Sequence, residues 1–104
     1  MAICDGVIDI MAAIFNVPGK ELRESGRPTR EIGRIRQIGM YAANTALGLS
    51  MAAVARGFGK DRSTVVHACH LIEDMRDDAS FDALIGKVER IVVTAFTLNR
   101  RMIR

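Results

Sequence analysis

Four consecutive residues, Asp61, Arg62, Ser63 and Thr64, carry short or forked side chains that form hydrogen bonds. An arginine guanidinium can bond the edge of a guanine at two points, a threonine methyl can touch the methyl group of thymine, and a serine hydroxyl reaches bases of either kind. Where such residues open a helix, the free N–H groups of its first turn also favour a phosphate. The alternative is that Asp61 or Ser63 only caps an ordinary core helix.

The residues around this run indicate the elements that must position it. Ser50 is a suitable cap for a short helix over residues 51–57, and Gly59 predicts a tight turn before a longer helix over about residues 61–77. This is a helix-turn-helix pattern, in which the first helix braces across a DNA backbone and the second helix enters the major groove. The same pattern also occurs in helix pairs that bind nothing.

The rest of the chain also reads as helices, because its apolar residues recur at helical spacing and no stretch alternates with a period of two. Pro18 and Gly48 are natural helix stops, and Thr29 and Ser80 are suitable N-caps. The helices are predicted over residues 5–16, 20–24, 30–47, 51–57, 61–77 and 80–104. The sequence therefore predicts an all-α fold, a small helical bundle that forms a single domain over residues 1–104 with an extended last helix.

The residues predicted to face the core are apolar and recur three or four positions apart on each helix. They are Val7, Ile10, Met11, Ile14, Phe15, Ile32, Ile35, Ile38, Tyr41 or Ala42, Ala46, Val65, Val66, Ala68, Cys69, Ile72, Phe81, Leu84, Ile85, Val88, Ile91, Val92, Ala95 and Phe96. A chain of this length buries roughly two thirds of its unfolded surface, which is enough for a hydrophobic core.

Composition excludes several classes of protein. The 104 residues are 49% hydrophobic, and no stretch approaches the ~18 consecutive apolar residues of a membrane span. The N-terminus lacks the basic start of a signal peptide, the two cysteines do not make a disulfide scaffold, and the phosphate-binding loop of an NTPase is missing. With no Trp, one Tyr and four Phe, the aromatic platforms that stack single-stranded bases are scarce. We therefore expect a cytoplasmic protein with no membrane partner.

Catalytic and metal-binding clusters are not indicated either. His67 and His70 lie three residues apart with Cys69 beside them, but further metal ligands at suitable spacing are missing. Cys69 fits a small core position better than a ligand position. We expect no enzymatic activity, no metal and no cofactor.

Basic and acidic residues are segregated along the chain. The net charge is only +3, but residues 20–36 hold six basic and three acidic residues, and residues 87–104 hold five basic residues and one acidic residue. Residues 73–78 hold four carboxylates and one arginine. This distribution suits a polyanion bound on one side of the molecule. The alternative is that these stretches are solvated helix faces.

Several motifs of this sequence occur together in one known family. They are R-x-RQ-x-x-M from Arg34, a serine-led short helix, GFG at 57–59 and D-x-[ST]-T-V-x-HA from Asp61, with FNV…ELRE upstream. The chain thereby resembles the C-terminal DNA-binding domain of the bacterial chromosomal replication initiator DnaA over about residues 5–78. The resemblance implies a small helical bundle related to the Trp repressor. It also implies binding of short duplex boxes near the replication origin, as in the DnaA family.

The resemblance also implies roles for individual residues. Residues 61–64 fall where the family reads bases in the major groove, and Arg27, with Arg30 as the second candidate, falls where an arginine enters the minor groove. Arg36 and Gln37 fall where the family touches phosphates. The expected DNA-binding residues are therefore Arg27, Arg30, Arg34, Arg36, Gln37, Ser50, Lys60, Asp61, Arg62, Ser63 and Thr64.

The chain departs from the family pattern mainly at the turn, where the family has GGRDHTTV and this chain has GKDRSTV, which is one residue shorter. Arg62 stands in place of a histidine, and an arginine in a base-reading position tends to prefer guanine, so we expect a different target box. Pro28 stands where the loop of the family carries its arginine, and Asn44 stands where a lysine is common.

We expect sequence-specific binding of double-stranded DNA at an initiator-box-like site, in the nucleoid, by a regulator of replication initiation or transcription. No ATPase domain lies within the 104 residues, which suggests a stand-alone relative or a piece of a larger protein that cannot assemble an ATP-driven filament by itself. The alternative is a protein-interaction module that has lost box recognition and acts on a replication or transcription protein through residues 73–78 or the last helix.

The last helix allows two interpretations. Its apolar stripe can pack on the same core and leave a basic end near DNA phosphates, or it can join two copies of the chain into a homodimer.

Overall fold

The computed structural model describes the backbone of residues 2–24 and 26–103 and the side chains of residues 2–24 and 26–98. Its helices are α1 (Ala2–Phe15), α2 (Gly19–Arg23), α3 (Arg30–Thr45), α4 (Met51–Phe58), α5 (Arg62–Met75) and α6 (Ala79–Ile103). All regular structure in this part of the chain is α-helical, which confirms the predicted fold class. None of these described helices is both long and apolar enough to cross a membrane.

Hydroxyl side chains cap two of the helices. The Oγ1 of Thr29 accepts a hydrogen bond from the N–H of Ile32 at 3.2 Å, and the Oγ of Ser50 accepts one from the N–H of Ala53 at 3.1 Å. Each hydroxyl satisfies a backbone donor that the first turn of a helix leaves without a partner. The predicted N-caps Thr29 and Ser50 are thus confirmed.

The predicted cap of the last helix is wrong. α6 begins at Ala79, so Ser80 lies inside its first turn. The carboxylate of Asp78 accepts a hydrogen bond from the N–H of Phe81 at 2.9 Å and takes the capping role instead. Asp and Ser are about equally good caps, so residue types alone do not decide between these two positions.

α3 is the central helix and packs against each of the other five. Ile35, Ile38 and Tyr41 on α3 are at most 3% exposed, and Val65 and Ile72 on α5 are fully buried. The predicted core residues that prove buried are Val7, Met11, Ile32, Ile35, Ile38, Tyr41, Ala42, Val65, Ala68, Cys69, Ile72, Ile85, Val88 and Val92. The predicted pattern of inward-facing positions is thus largely confirmed.

The first part of α6 packs on this same core. Ile85, Val88 and Val92 are at most 1% exposed. Farther along, the ring of Phe96 approaches α1 so closely that a Cβ added at Gly6 would lie 3.0 Å from its Cζ atom. Ile91 was expected inside but is 45% exposed, because it lies at the edge of the helix face that meets the core.

Arg76 joins α3, α5 and α6 through a polar cluster. Its Nε donates to Asp82 at 2.6 Å, and its Nη1 donates to Glu89 and to the hydroxyl of Tyr41, both at 3.0 Å. Tyr41 donates in turn to the carboxylate of Glu73. Hydrogen bonds to Asp82 and Tyr41 raise the pKa of the Arg76 guanidinium, and burial together with the Glu73 carboxylate raises the pKa of the Tyr41 hydroxyl. Both groups therefore keep their protons at neutral pH, and the cluster holds the end of α5 in place.

Candidate nucleic-acid interface

The turn between α4 and α5 depends on Gly59. This residue has φ 65° and ψ 38°, in the left-handed region, and its N–H donates to the carbonyls of Ala55 and Arg56. The N–H of Lys60 donates to the carbonyl of Ala55 at 2.9 Å. These bonds satisfy the last carbonyls of α4 and end the helix within one turn. α5 therefore begins only three residues after Gly59, at Arg62.

The first turn of α5 presents hydrogen-bonding side chains to solvent. Asp61, Arg62, Ser63 and Thr64 are all exposed, whereas Val65, the next residue, is fully buried. Asp61 occupies the N-cap position with an extended backbone, but its carboxylate makes no capping hydrogen bond. Val65 thus fixes the start of the helix to the core while the four residues before it face outward, as a base-reading helix requires.

Basic groups flank this turn, and a hydroxyl group lies at the other end of α4. Lys60 is partly exposed, and Arg56 is exposed in the last turn of α4. Ser50 is exposed as well, and although its oxygen caps α4, its O–H remains able to donate to a phosphate. Arg56 was not among the expected contacts. The signal that could have identified it is its place in the last helical turn before the tight turn.

A second group of basic residues lies at the start of α3. Arg27, in the loop before α3, and Arg30, the first residue of the helix, are both exposed. Glu21, Glu24 and Glu31 line the same cleft as Arg27. The field around Arg27 is therefore mixed in sign.

Arg34 and Gln37 lie on the next turn of α3 and are half-buried. The Nη1 of Arg34 donates to the Oε1 of Gln37 at 3.2 Å and to the sulfur of Met75 at 3.1 Å. Met75 is the last residue of α5 and Arg62 is the first, and these 14 residues span about 20 Å. The structure thus places the two basic groups at opposite ends of α5.

Arg36 occupies a different position from the one expected. It was predicted to touch a phosphate, but the residue is only 7% exposed. Its Nε donates to the carbonyl of Leu22 at 3.0 Å, and its Nη2 donates to the carbonyls of Glu21 and Glu24, both at 3.1 Å. The guanidinium is thus engaged with the end of α2, and a phosphate contact would require it to leave these carbonyls.

The cysteines and histidines do not form a reactive cluster. His67 and His70 are exposed on α5, while Cys69 between them is buried. Burial raises the pKa of the Cys69 thiol, which therefore stays protonated. Within the residues that the structure describes, no three His, Cys, Asp or Glu side chains come together as metal ligands.

Comparison with known families gives this geometry a context. The family model described as "Bacterial dnaA protein helix-turn-helix" matches residues 4–72. The chain belongs to the bacterial DnaA helix-turn-helix family. The match includes all the residues expected to contact DNA, from Arg27 to Thr64, and ends within α5.

Individual members of the DnaA family are similar over much of this chain. The chromosomal replication initiator protein DnaA 1 of Protochlamydia amoebophila is 36% identical over 85 residues, which are 81% of this chain and 19% of that protein. The corresponding initiator protein of Crocosphaera subtropica is 39% identical over 71 residues, which are 67% of this chain and 15% of that protein. The chain therefore spans less than a fifth of the length of these DnaA relatives.

A solved structure supports the DnaA-type fold. The crystal structure of a DNA replication initiation factor superposes with a TM-score of 0.81 and covers 90% of this chain and 29% of that one, at 23% sequence identity. At this identity the likeness concerns the fold. The helix-turn-helix seen between Ser50 and Met75 is therefore that of a DnaA-type helical bundle.

Proposed function

We propose that this chain binds double-stranded DNA and reads base edges in the major groove with the first turn of α5. The observation that carries the proposal is the row of four exposed hydrogen-bonding side chains, residues 61–64, at the start of α5. The fully buried side chain of Val65 and the left-handed turn at Gly59 hold this helix start in place. The major groove is about 12 Å wide and admits an α-helix.

Within this proposal, Arg62 is the residue that selects bases. Its guanidinium is exposed and heads the helix, so it can form two hydrogen bonds with the O6 and N7 atoms of a guanine. Asp61 and Ser63 lie beside it and Thr64 can touch a thymine methyl. The N–H groups at the start of α5 favour a nearby phosphate.

The remaining basic and polar residues act on the DNA backbone and the neighbouring minor groove. Lys60 and Arg56, which flank the turn, and Ser50, at the start of α4, contact phosphates, which fixes the register of the protein on the duplex. Arg27, with Arg30 as the second candidate, enters the adjacent minor groove near the other end of α5. Arg34 and Gln37 lie at this same end of α5, where Arg34 bonds the sulfur of Met75, and they face a DNA backbone once Arg34 leaves Met75.

The relatives are named as chromosomal replication initiators, and we therefore infer a role at initiator-type boxes in the nucleoid. That role is the control of replication initiation or of transcription from the same boxes. Sequence-specific recognition distinguishes this role from non-specific DNA binding, since phosphate contacts alone carry no sequence information.

A fluorescence-anisotropy titration tests the proposal. The chain is titrated into an initiator-type box duplex, a scrambled duplex and a random-library duplex, each at two salt concentrations. We expect the box to bind tighter than the scrambled duplex by a factor of ~10³ or more, as specific complexes do. Salt-sensitive binding without preference would contradict box recognition, and selection from the library would then identify the target. No binding to any duplex at low salt would overturn the whole proposal.

A specific observation also favours contact between two copies of the chain. Ile91 is 45% and Leu98 is 52% exposed, and because they are seven residues apart they share one face of α6. We propose that this face pairs with that of a second copy, which would present two reading helices to a paired site.

A further inference from the structure

We infer that Arg36 is a positioning residue, which acts on DNA through Arg27 rather than by touching a phosphate itself. This inference rests on the proposed function and concerns how the minor-groove arginine is held. It starts from three hydrogen bonds that join the middle of α3 to the end of α2.

The guanidinium of Arg36 serves as a cap for α2. α2 has only five residues, and a helix leaves its last carbonyls without partners. The Nε and Nη2 of Arg36 donate to the carbonyls of Glu21, Leu22 and Glu24 at 3.0–3.1 Å. A cation at the C-terminus of a helix also interacts favourably with the helix dipole. Leu22, which is 3% exposed, packs the same turn into the core.

Glu24 is the residue from which the loop leaves α2. It has an extended backbone with φ −61° and ψ 140°, and its N–H donates to the carbonyl of Lys20. Because its carbonyl accepts from Arg36, the direction in which the chain enters the loop is tied to α3. The first anchor of the loop is therefore this hydrogen bond.

The other end of the loop is anchored on α3 as well. Thr29 caps α3 through the N–H of Ile32, and the ring of Pro28 lies 3.6 Å from where a Cβ of Gly33 would stand. Arg27 is exposed between the two anchors. A side chain that must enter a narrow groove gains from a backbone that is already in place, because less conformational entropy is lost on binding.

Lysine cannot replace Arg36 in this role. A guanidinium offers donors in a planar fork, whereas an ammonium is a single point of charge on a flexible stem. The substitution Arg36→Lys therefore keeps the positive charge but loses the simultaneous bonds to three carbonyls. A phosphate contact would tolerate this change, and a positioning role would not.

A double-mutant cycle tests the inference with the full chain and the duplex that the wild-type chain prefers. Arg27→Ala, Arg36→Lys and the double variant are titrated alongside Arg90→Lys, an exposed arginine on α6 that serves as the control. We expect each single variant to bind about tenfold more weakly, the double variant to lose no more than either single one, and the control to bind as the wild type does. Wild-type affinity for Arg36→Lys, or losses that multiply in the double variant, would overturn the inference.

A second measurement uses the wild-type chain and remains valid if Arg36→Lys fails to fold. The Nε–H resonance of Arg36 is followed by NMR as duplex is added. We expect its chemical shift and its protection from exchange to persist, since the three carbonyl bonds remain. Loss of protection on binding would show that the guanidinium leaves α2 for the DNA and would overturn the inference. A wild-type chain that binds no duplex would instead overturn the proposed function and remove the basis of the inference.

Discussion

Arg36 and Arg62 carry the same guanidinium in opposite surroundings. Arg36 is 7% exposed and bonds three backbone carbonyls, whereas Arg62 is exposed at the head of α5. A buried guanidinium with satisfied donors stabilises the fold and gains nothing by leaving. An exposed guanidinium can bond a partner without first losing such bonds, so the specificity of the proposed complex depends on Arg62.

Replacing Arg62 by Ala should cost the complex about 1–3 kcal/mol and relax the base preference at one position of the target. The loss arises because two hydrogen bonds to one base disappear while the phosphate contacts remain. Anisotropy titrations on the preferred and scrambled duplexes measure the effect, and Arg90→Ala, an exposed arginine on α6, serves as the control. Equal losses on both duplexes would contradict a base-reading role for Arg62.

The exposure of residues 61–64 could be predicted from the sequence, because short polar residues before the buried Val65 are typical of a helix start. The burial of Arg36 could not. Its neighbours in R-x-RQ-x-x-M give it the appearance of one of several surface arginines, and only the carbonyls of Glu21, Leu22 and Glu24, at least 12 positions away, reveal its role.

At the scale of elements, the α4–α5 turn decides where α5 points. The left-handed backbone of Gly59 lets α4 end and α5 begin within three residues. The cap at Ser50 and this turn could both be predicted, because each depends on local residue types. The start of α6 could not, since Asp78 and Ser80 are equally suitable caps by residue type, and only the structure shows Asp78 in that role.

Replacing Gly59 by Ala should lower the free energy of unfolding by about 1–2 kcal/mol, because a Cβ is disfavoured at a left-handed backbone. Urea denaturation followed by circular dichroism measures the loss. Gly26→Ala is the matched control, since Gly26 lies in a loop with no atom within 4 Å of an added Cβ, and we expect it to change stability by no more than about 0.5 kcal/mol. Equal effects of the two substitutions would contradict the role assigned to the turn.

At the scale of the whole molecule, Arg76 ties the end of α5 to the bundle. It stands at the end of α5 and bonds Tyr41 on α3 and Asp82 and Glu89 on α6. These partners lie up to 35 positions from Arg76 in the chain. No local pattern in the sequence links them, which is why the sequence predicts each helix but not the cluster that joins three of them.

Replacing Arg76 by Ala should cost about 1–3 kcal/mol of folding free energy, because it leaves a partly buried carboxylate and hydroxyl without their donor. Arg23→Ala removes an exposed ion pair with Asp9, whose side chains are 39% and 69% exposed, and should cost at most about 1 kcal/mol. Urea denaturation compares the two variants, and amide exchange in α6 should rise only for Arg76→Ala. Unchanged exchange in α6 would show that Arg76 does not hold that helix.

The exposed face of α6 leads to a prediction about assembly. The double substitution Ile91→Glu and Leu98→Glu should shift the sedimentation coefficient toward that of the monomer, because the two new charges would be buried in the proposed contact. Val93, which is 42% exposed but lies on the other side of the helix, gives the control Val93→Glu with wild-type behaviour. A wild-type chain that sediments as a monomer at every concentration would contradict the proposed pairing.

The approach of Phe96 to Gly6 has an evolutionary consequence. A methyl group at residue 6 would lie 3.0 Å from the tip of the ring, so a larger residue there requires either a shift of the ring or a smaller side chain at position 96. Among descendants of this sequence that keep the last helix, the two positions should therefore change together. Glycine paired with a ring would then alternate with alanine paired with a shorter side chain.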